Sequence, residues 1–570
     1  MQLSSMSGSY TSDFSLLNST FWVDLLSQRD VSSQVPINYV TQPSIALTAA
    51  CFGNNQYLRD AGSLCLSDLL TIGYRRFIID VYWSHSNQQW LLCPVSIPST
   101  PTTDESDESP YTLGNYTCSG LFDLTTITDV LRSYIRFSSA DIDSTLLFVV
   151  FNVHAAADSN NPDQPAPTLS STELPPQSHL LGGIANKDLD AFIYTPPDLA
   201  KERSNLNESW YHGTSSRTSV LQEYFTTITD ADNILSTPDG WPCQAYLINK
   251  LAKRLILGRG SIDPQLQGYN VSGDEPYIFS ANYIENVVDV STTSDRNGLQ
   301  SGCFYDPQTT SLKNINSSWS LSTLDGIGPN TSSSAALLLQ NYTGCGISPV
   351  INETLGGQTA NIEVDPYRNI SISSMWSWAV GEPRNASSLP GYEQISANND
   401  VLRCAMLDPT SNGHWRAGNC SNAYRAACRV DSNPYSWILS DSKQSFSDSC
   451  NICSSGSKFD VPRTGLENTY LYHTVLSTSN DSTTVNEPVW INLNSINVQY
   501  CWVMGGANAT CIYIGDADNV GRRTILVPTI AAIIILVITA STIFVKCNSN
   551  RRISRRKRVS QGWDYEGVPS

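Results

Sequence analysis

The chain has 570 residues, of which 40% are hydrophobic and only 15% are charged, and its net charge is −18. This length indicates about two to four domains, and the apolar content excludes general disorder. The acidic balance excludes binding to nucleic-acid backbones through the body of the chain unless a local basic patch is present.

A secretory signal normally has a positively charged N-terminal segment followed by an uninterrupted apolar run, and residues 1–27 show neither. We therefore expect that the signal is either atypical or lies upstream. Residues 28–295 then alternate helical patterns with short apolar runs, among them RRFIIDVYW, TLLFVVFNV and KRLILGRG. Such alternation predicts parallel strands in an α/β layer or barrel. The acidic segment 98–110 and the Pro-rich segment 160–178 are predicted to be solvated loops.

The character of the sequence changes near residue 295. Helical periodicity fades, Ser, Asn, Gly and Trp become frequent, and stretches such as SSMWSWAV, NEPVWINL and QYCWVMGG have the pattern of short strands. We therefore expect a second, β-rich and disulfide-containing region, divided into residues 296–435 and 436–521.

Residues 524–545 contain no charged side chain over 22 positions. As a helix they would be about 33 Å long, enough to cross a hydrocarbon core of about 30 Å. The following residues 546–570 carry seven Lys or Arg against two Asp or Glu. The positive-inside rule therefore predicts a single-pass type I protein, with residues 1–523 lumenal or extracellular and the basic tail in the cytosol.

Fourteen of the fifteen cysteines and all thirteen Asn-x-Ser/Thr sequons precede the apolar run. Their shared distribution favours an oxidising lumen, where the cysteines could form seven disulfides and the sequons could be glycosylated. The sequon asparagines are Asn18, Asn115, Asn207, Asn270, Asn316, Asn330, Asn341, Asn352, Asn369, Asn385, Asn419, Asn480 and Asn508.

The segments LSQRDVSSQVPINYVTQPSIALTAACF, IGYRRFIIDVYW, LLFVVFNVH and GWPCQAYLINKLAKRLILGRG resemble the X-type barrel of phosphatidylinositol phospholipases C. The resemblance covers residues 28–290 and implies a TIM-barrel-like domain. It further implies phosphodiester cleavage by two histidines that act as general acid and base, with acidic calcium ligands in the eukaryotic members.

The chain departs from that pattern at the positions that carry the chemistry. The first strand end, SIALTAACF, has no histidine, Cys93 stands where the second histidine would fall, and Ile78 replaces an acidic ligand. Asp80, Asn152 and His154 would form any residual active site, and His85 follows nearby in a predicted turn. We expect a degenerate barrel without catalysis, metal or cofactor.

Residues 373–430 resemble the C-terminal half of a C-type lectin-like domain, through SSMWSWAVGEPRN, GHWRAGNC and AYRAACRV. The resemblance implies a Cys404–Cys420 disulfide and pairs Cys428 with an upstream cysteine, Cys345.

The lectin-like ligand set is incomplete. Glu382 and Pro383 fit the sugar-binding loop, but Arg384, Arg416 and Ala417 stand where calcium would need oxygen atoms, so no calcium-dependent sugar binding is expected. The tryptophans of this region are expected in the core and not on a sugar platform: Trp376, Trp378 and Trp415.

Two further cysteine pairs precede the apolar span. Cys450-x-x-Cys453 favours a structural disulfide over a redox or zinc site, because no second pair of suitable spacing exists. Cys501 and Cys511 are also expected to be disulfide-bonded.

The order of barrel, lectin-like module, span and tail resembles the fungal maintenance of telomere capping protein 6 family over the whole chain, through LSQRDV, VPINYV, GYNVSGDEPYIFSANYIE and CWVMGGANATCIY. That resemblance implies a single-pass type I membrane glycoprotein involved in telomere capping. Because the catalytic and calcium ligand sets are incomplete, we expect a non-enzymatic protein of the secretory pathway or cell surface, whose lumenal domains bind a carbohydrate or lipid headgroup. Two alternatives stay open: a residual phosphodiesterase acting on a lipid or glycolipid headgroup, and a structural component of the wall or membrane. No direct contact with nucleic acid is expected, so any effect on telomere capping would be indirect.

Overall fold

The computed structural model describes most of the chain before residue 514. The described residues are 9–98, 110–120, 122–139, 142–210, 222–294, 297–327, 333–384, 401–431, 433–478 and 487–513. The predicted span 524–545 and the basic tail lie outside them. Among the helices of these ranges, none has the length and apolar character needed to cross a bilayer.

The helices of the described ranges are α1 (Ser19–Ser32), α2 (Leu47–Phe52), α3 (Arg59–Thr71), α4 (Leu124–Phe137), α5 (Leu181–Leu189), α6 (Pro196–Ser204), α7 (Gln244–Asn249), α8 (Val271–Asp274), α9 (Ala281–Ile284), α10 (Ser333–Gly344), α11 (Asp365–Ser373) and α12 (Gly465–Thr478). The strands up to residue 351 are β1 (Ser44–Ala46), β2 (Gln56–Tyr57), β3 (Arg76–Ser84), β4 (Gln89–Leu91), β5 (Tyr111–Leu113), β6 (Tyr116–Cys118), β7 (Leu147–Ala155), β8 (Ile228–Thr229), β9 (Leu235–Ser236), β10 (Leu255–Ile262), β11 (Phe279–Ser280), β12 (Asn286–Val287), β13 (Ser291–Thr292), β14 (Leu299–Ser301), β15 (Ser320–Thr323) and β16 (Ser348–Ile351). The later strands are β17 (Cys404–Leu407), β18 (Trp415–Gly418), β19 (Arg425–Val430), β20 (Trp437–Leu439), β21 (Ser457–Phe459) and β22 (Val489–Asn494).

The first sheet has nine strands. Eight of them are parallel, in the order β11-β10-β7-β3-β1-β16-β15-β12, and β4 pairs antiparallel with β3. The order follows the chain from β1 to β11, and the last strand, β16, pairs back with the first. In the described residues the ring of parallel strands is interrupted only between β11 and β12. These are the two ends of the strand order, and they do not pair with each other. This arrangement is a TIM-barrel-like domain with one gap, as the alternating pattern predicted.

Successive side chains along each strand point alternately toward the outer helices and toward the barrel interior. Phe77 and Ile79 on β3 belong to the core cluster shared with α3 and α4. Phe148 and Val150 on β7 belong to a second cluster with Trp319, inside the barrel. Even-numbered residues of β3 and β7 therefore point into the barrel. The polar residues of the candidate site described below are even-numbered and lie on this inner face.

The second sheet has six strands in the order β18-β17-β22-β19-β20, with β21 also paired to β19, and most of its pairs are antiparallel. Helix α12 and the three predicted core tryptophans contribute to its core cluster. Trp376, Trp378 and Trp415 are at most 2% exposed, so they cannot form a sugar platform in this structure.

Helix α1 joins the barrel to the second sheet. Its residues Val23 and Val31 lie in the core cluster of the second sheet. Ser27 accepts a hydrogen bond from the indole Nε1 of Trp378 at 2.7 Å, and Ser32 donates one to the carbonyl of Arg463 at 2.7 Å. Residues 1–510 accordingly form one compact unit.

Two sequence expectations about this architecture are wrong. The barrel does not end at residue 295, because β15 and β16 complete its sheet. The segments SSMWSWAV and QYCWVMGG are not strands, since each contributes one isolated bridge, at Trp378 and Val503 respectively. By contrast, NEPVWINL does contain a strand, β22.

The disulfides correct part of the predicted connectivity. The described cysteines form Cys51–Cys65, Cys93–Cys118, Cys303–Cys345, Cys404–Cys420 and Cys428–Cys453. The Cys404–Cys420 pair is as predicted. The predicted pairing of Cys345 with Cys428 is wrong, because each bonds a different cysteine. The Cys450–Cys453 bridge is wrong as well, and Cys450 is an exposed free thiol. Cys501 and Cys511 are both disulfide-bonded.

Candidate functional site

The polar residues predicted on β3 and β7 meet inside the barrel near the carboxyl ends of its strands. The parallel register places Asp80 beside Asn152 and Tyr82 beside His154. All four are even-numbered and, like Val150, lie on the inner face of the barrel. His154 is the second-last residue of β7, so the cluster lies where TIM-barrel enzymes carry their active sites.

Asp80 is the centre of this cluster. Its carboxylate accepts a hydrogen bond from the amide Nδ2 of Asn152 at 2.8 Å and another from the hydroxyl of Thr48. His154 Nε2 lies 3.4 Å from Asp80 Oδ1. Burial alone would raise the pKa of Asp80, but the contacts with His154, Thr48 and Asn152 outweigh it and lower that pKa below its ordinary value. Asp80 is thus held as a carboxylate.

His154 lies between two carboxylates. Its Nε2 faces Asp80, and its Nδ1 lies 3.8 Å from Oδ2 of Asp263, the residue that directly follows β10. The imidazole also stacks on the Tyr82 ring, with centroids 5.0 Å apart. Nε2 is nevertheless buried without a hydrogen-bond partner in the described residues. The two carboxylates therefore act on the imidazole through charge, and they leave it able to form a hydrogen bond with another molecule.

Asn152 ties the cluster to β10. Its Oδ1 accepts hydrogen bonds from the backbone amide of Ser261 at 3.0 Å and from the Ser261 hydroxyl at 3.1 Å. A Cβ atom at Gly260 would lie 2.3 Å from that oxygen, so only glycine leaves room for it. Asn152 thus uses its amide nitrogen toward Asp80 and its oxygen toward β10.

The other residues named from the sequence do not join the cluster in the described contacts. Cys93 is buried and bonded to Cys118, so it offers no titrating group. His85 lies in the turn after β3, with its nearest carboxylate on Glu173 at 4.0 Å. Ile78 supplies an apolar side chain on the inward face, where an acidic ligand was expected from the resemblance.

Thr48 and Asp263 belong to the site but were missed from the sequence. Thr48 occupies the first turn of α2, immediately after β1, and Asp263 is the first residue past β10. Both follow a strand end, which is the one signal that could have found them. In the described residues, no group of three His, Cys, Asp or Glu side chains has an arrangement suited to a metal ion.

Glu382, the acidic residue expected in a sugar-binding loop, lies among cations. Glu382 is 5% exposed, and its Oε1 lies 2.7 Å from Arg384 Nε and 3.6 Å from Arg416 Nε. Its other oxygen accepts hydrogen bonds from the backbone amides of Arg384 and Ala417. Arg416 also pairs with Asp408 at 2.8 Å. Both oxygens of Glu382 are therefore engaged within the protein.

The sequon asparagines lie at the surface wherever the structure describes them. Asn330, Asn385 and Asn480 fall outside the described residues. Of the other ten, eight are exposed and two are half-buried, namely Asn341 and Asn419. None of these ten would have to leave the core to carry a glycan.

Comparison with known proteins identifies the chain's relatives. Residues 16–374 match a family model described as "MTC6 partial TIM-barrel domain". The proteins named "Maintenance of telomere capping protein 6" from Meyerozyma guilliermondii and Yarrowia lipolytica are 27% and 26% identical, over 95% of this chain and 94% and 90% of theirs. The protein of that name from Saccharomyces cerevisiae is 26% identical over 77% of this chain and 74% of its own.

Among solved structures, the chain is similar to a calcium-dependent phosphoinositol-specific phospholipase C from a Pseudomonas species, at 12% identity. The similarity covers 58% of this chain and 94% of that one, with a TM-score of 0.29. The match to the family model spans more than half of the sequence, and the chain belongs to the maintenance of telomere capping protein 6 family.

Proposed function

We propose that this chain is a non-enzymatic, glycosylated single-pass membrane protein, whose lumenal body binds ligands and supports telomere capping indirectly. The observation that supports the absence of catalysis is that the described cluster holds a single imidazole, His154, beside the carboxylates of Asp80 and Asp263. Phosphodiester cleavage of the resembled type uses two histidines that exchange protons with the substrate. The second histidine position is taken by Cys93, which is bonded to Cys118.

The catalytic test uses the full chain in lipid nanodiscs with phosphatidylinositol in the disc or glycerophosphoinositol in solution. Released inositol phosphate is measured by mass spectrometry for the wild type, for His154→Ala and for the control His85→Ala. We expect all three to match empty nanodiscs. Release by the wild type that His154→Ala abolishes and His85→Ala retains would establish an enzyme.

A residual phosphodiesterase is the second candidate, and one observation favours it. The lowered pKa of Asp80 keeps it ionised beside the imidazole of His154, and a carboxylate in that position can orient a histidine that acts as general base. The His154 side chain is 27% exposed, so part of the imidazole is open to a substrate. The same assay separates the two candidates.

Lumenal placement is supported by the surface positions of the sequons and by the disulfides, which engage twelve of the described cysteines. We expect the body to be protease-protected in sealed microsomes and to lose many kilodaltons of apparent mass after endoglycosidase treatment. An unglycosylated, protease-accessible body would contradict this topology.

We propose an indirect telomere role because the body of the chain is acidic and would lie on the lumenal side of a membrane. Residues 1–545 carry a net charge of −23 and residues 546–570 carry +5. An acidic body repels duplex DNA, and a short basic tail gives only salt-sensitive, sequence-blind contact. Chromatin immunoprecipitation of the tagged chain should show no enrichment at telomeric repeats. Enrichment there would indicate direct action.

A further inference from the structure

A cavity lies at the opposite end of the barrel from His154. It is lined by residues that directly precede three strands, Pro43 before β1, Arg75 before β3 and Leu146 before β7. From Leu146 to His154 the chain runs eight residues along β7, which is about 26 Å at about 3.3 Å per residue. We call this cavity the amino-face pocket, and it is separate from the Asp80–His154 cluster.

The pocket is a substantial gap in an otherwise packed barrel end. Its volume is about 100 Å³, whereas a single buried water needs about 10 to 15 Å³ on this measure. Helix α1 covers it with Trp22, Leu25 and Leu26, and Met375 closes another wall. Well-packed interiors leave few such voids, and apolar walls of this kind suit the body of a small ligand.

One polar group inside the pocket lacks a partner. Thr41 lines the pocket and is 5% exposed, and its Oγ1 has no hydrogen-bond partner among the described residues. Buried hydroxyls in native structures are almost always paired, so this one marks a place for a ligand atom. A threonine hydroxyl pairs readily with a carboxylate or carbonyl oxygen.

The charges around the pocket favour an anion. Arg29 lies in the wall, with Nε and Nη2 on Asp30 and Nη1 on the backbone. Arg75 is half-buried in the wall, and Arg254 lies behind it, bonded to the Thr145 carbonyl. Of the two guanidinium groups in the lining, that of Arg29 is paired with Asp30, whereas Arg75 donates from Nη1 to the carbonyls of Leu70 and Tyr74 and has no carboxylate partner in the described residues. Arg75 is therefore the cation that an anionic ligand would meet.

One exposed apolar residue, Ile142, lies beside the pocket. Its side chain is 39% exposed, and its carbonyl accepts a hydrogen bond from the pocket residue Arg29 at 2.7 Å.

We propose that the amino-face pocket binds a small amphiphilic carboxylate, with an apolar body of about six to ten heavy atoms and a carboxylate that pairs with Thr41 and Arg75. A medium-chain fatty acid has this chemistry. The proposal does not depend on whether the Asp80–His154 cluster is catalytic, because the two sites lie at opposite ends of the barrel.

The test is equilibrium dialysis of labelled octanoate against the full chain in nanodiscs, with empty nanodiscs subtracted. Four proteins are compared: wild type, Thr41→Val, Leu26→Trp and the control Thr172→Val, whose position is exposed in the Pro-rich insertion. Thr41→Val is nearly isosteric and removes only the hydroxyl. Leu26→Trp fills the cavity, and circular dichroism checks that it folds.

We expect saturable binding of one octanoate per chain, weakened at least fivefold by Thr41→Val, abolished by Leu26→Trp and unchanged by Thr172→Val. Octanol, which lacks the charge, should compete at least tenfold less well, whereas a phospholipid with octanoyl chains should not compete. Absence of saturable binding, or binding that neither pocket variant changes, would overturn the proposal. Equal competition by octanol would overturn the carboxylate head, and competition by the phospholipid would identify an acyl chain of a membrane lipid as the ligand.

Discussion

Asp24 offers a sharp test of how α1 joins the barrel to the second sheet. Its side chain is 6% exposed, and its Oδ1 accepts a hydrogen bond from the Ser377 hydroxyl at 2.9 Å. Burial raises its pKa from 3.8 to about 8, although Ser377 and the Trp378 amide oppose the change. Because the folded-state pKa lies above the unfolded one, folding favours the protonated form. We predict that Asp24→Asn stabilises the protein at neutral pH.

The size of the effect follows from linkage. The contribution of Asp24 is most favourable below its unfolded pKa near 4 and is lost as pH rises through its folded pKa near 8. Each pH unit in this window costs about 1.4 kcal/mol, so the penalty at pH 7 approaches about 4 kcal/mol. Asparagine cannot ionise and keeps an oxygen for Ser377, but its buried amide protons lack an assigned acceptor. The net gain should therefore be about 2 to 4 kcal/mol at pH 7 and close to zero or negative at pH 4.

Urea unfolding of the full chain in nanodiscs at pH 4, 5.5, 7 and 8 measures this difference. The control Asp60→Asn removes an exposed carboxylate from the first turn of α3 and should leave the pH profile of stability unchanged. The reasoning is refuted if Asp24→Asn destabilises the protein equally at every pH. That result would mean that Asp24 is a buried, ionised acceptor.

Two further pairs of variants test the site and the disulfides. Gly260→Ala should displace Asn152 and lower the free energy of unfolding by about 1 to 3 kcal/mol. Gly183→Ala places its methyl group in open space on helix α5 and should raise the free energy of unfolding by up to about 1 kcal/mol. Urea titration of both variants tests these opposite signs. Cys453→Ser should cost about 2 to 5 kcal/mol by removing a bridge, whereas Cys450→Ser removes a free thiol and should leave the melting temperature within a few degrees of wild type.

The sequence predicted the barrel strands that are long enough to show an apolar run. Strands β3, β7 and β10 have nine, nine and eight residues, and each was expected from its pattern. The barrel strands after residue 280 have two to four residues, too few to establish a period of two. Loss of periodicity near residue 295 was therefore mistaken for the end of the barrel, although β15 and β16 still supply its closing edge.

Pairings between distant residues were less predictable than the elements themselves. Cys404 and Cys420 lie on the adjacent strand β17 and just past β18, so local hairpin geometry fixes their bridge. Cys345 bonds Cys303 instead of Cys428, because it begins the turn between α10 and the barrel strand β16. Spacing alone cannot distinguish such alternatives, since connectivity depends on which sheet each cysteine joins.

Each end of the barrel holds a buried polar atom without a hydrogen-bond partner in the described residues. At the carboxyl end, the Asp80 carboxylate and both polar atoms of Asn152 have partners within the protein, whereas Nε2 of His154 has none. At the amino end, Thr41 has an unpaired hydroxyl beside an apolar cavity, and a ligand acceptor would make a hydrogen bond there without breaking one. Because that hydroxyl adjoins a cavity of about 100 Å³, a ligand at the amino end can also bury apolar surface. A barrel of this construction can bind a small molecule at its amino end whether or not its carboxyl end is catalytic.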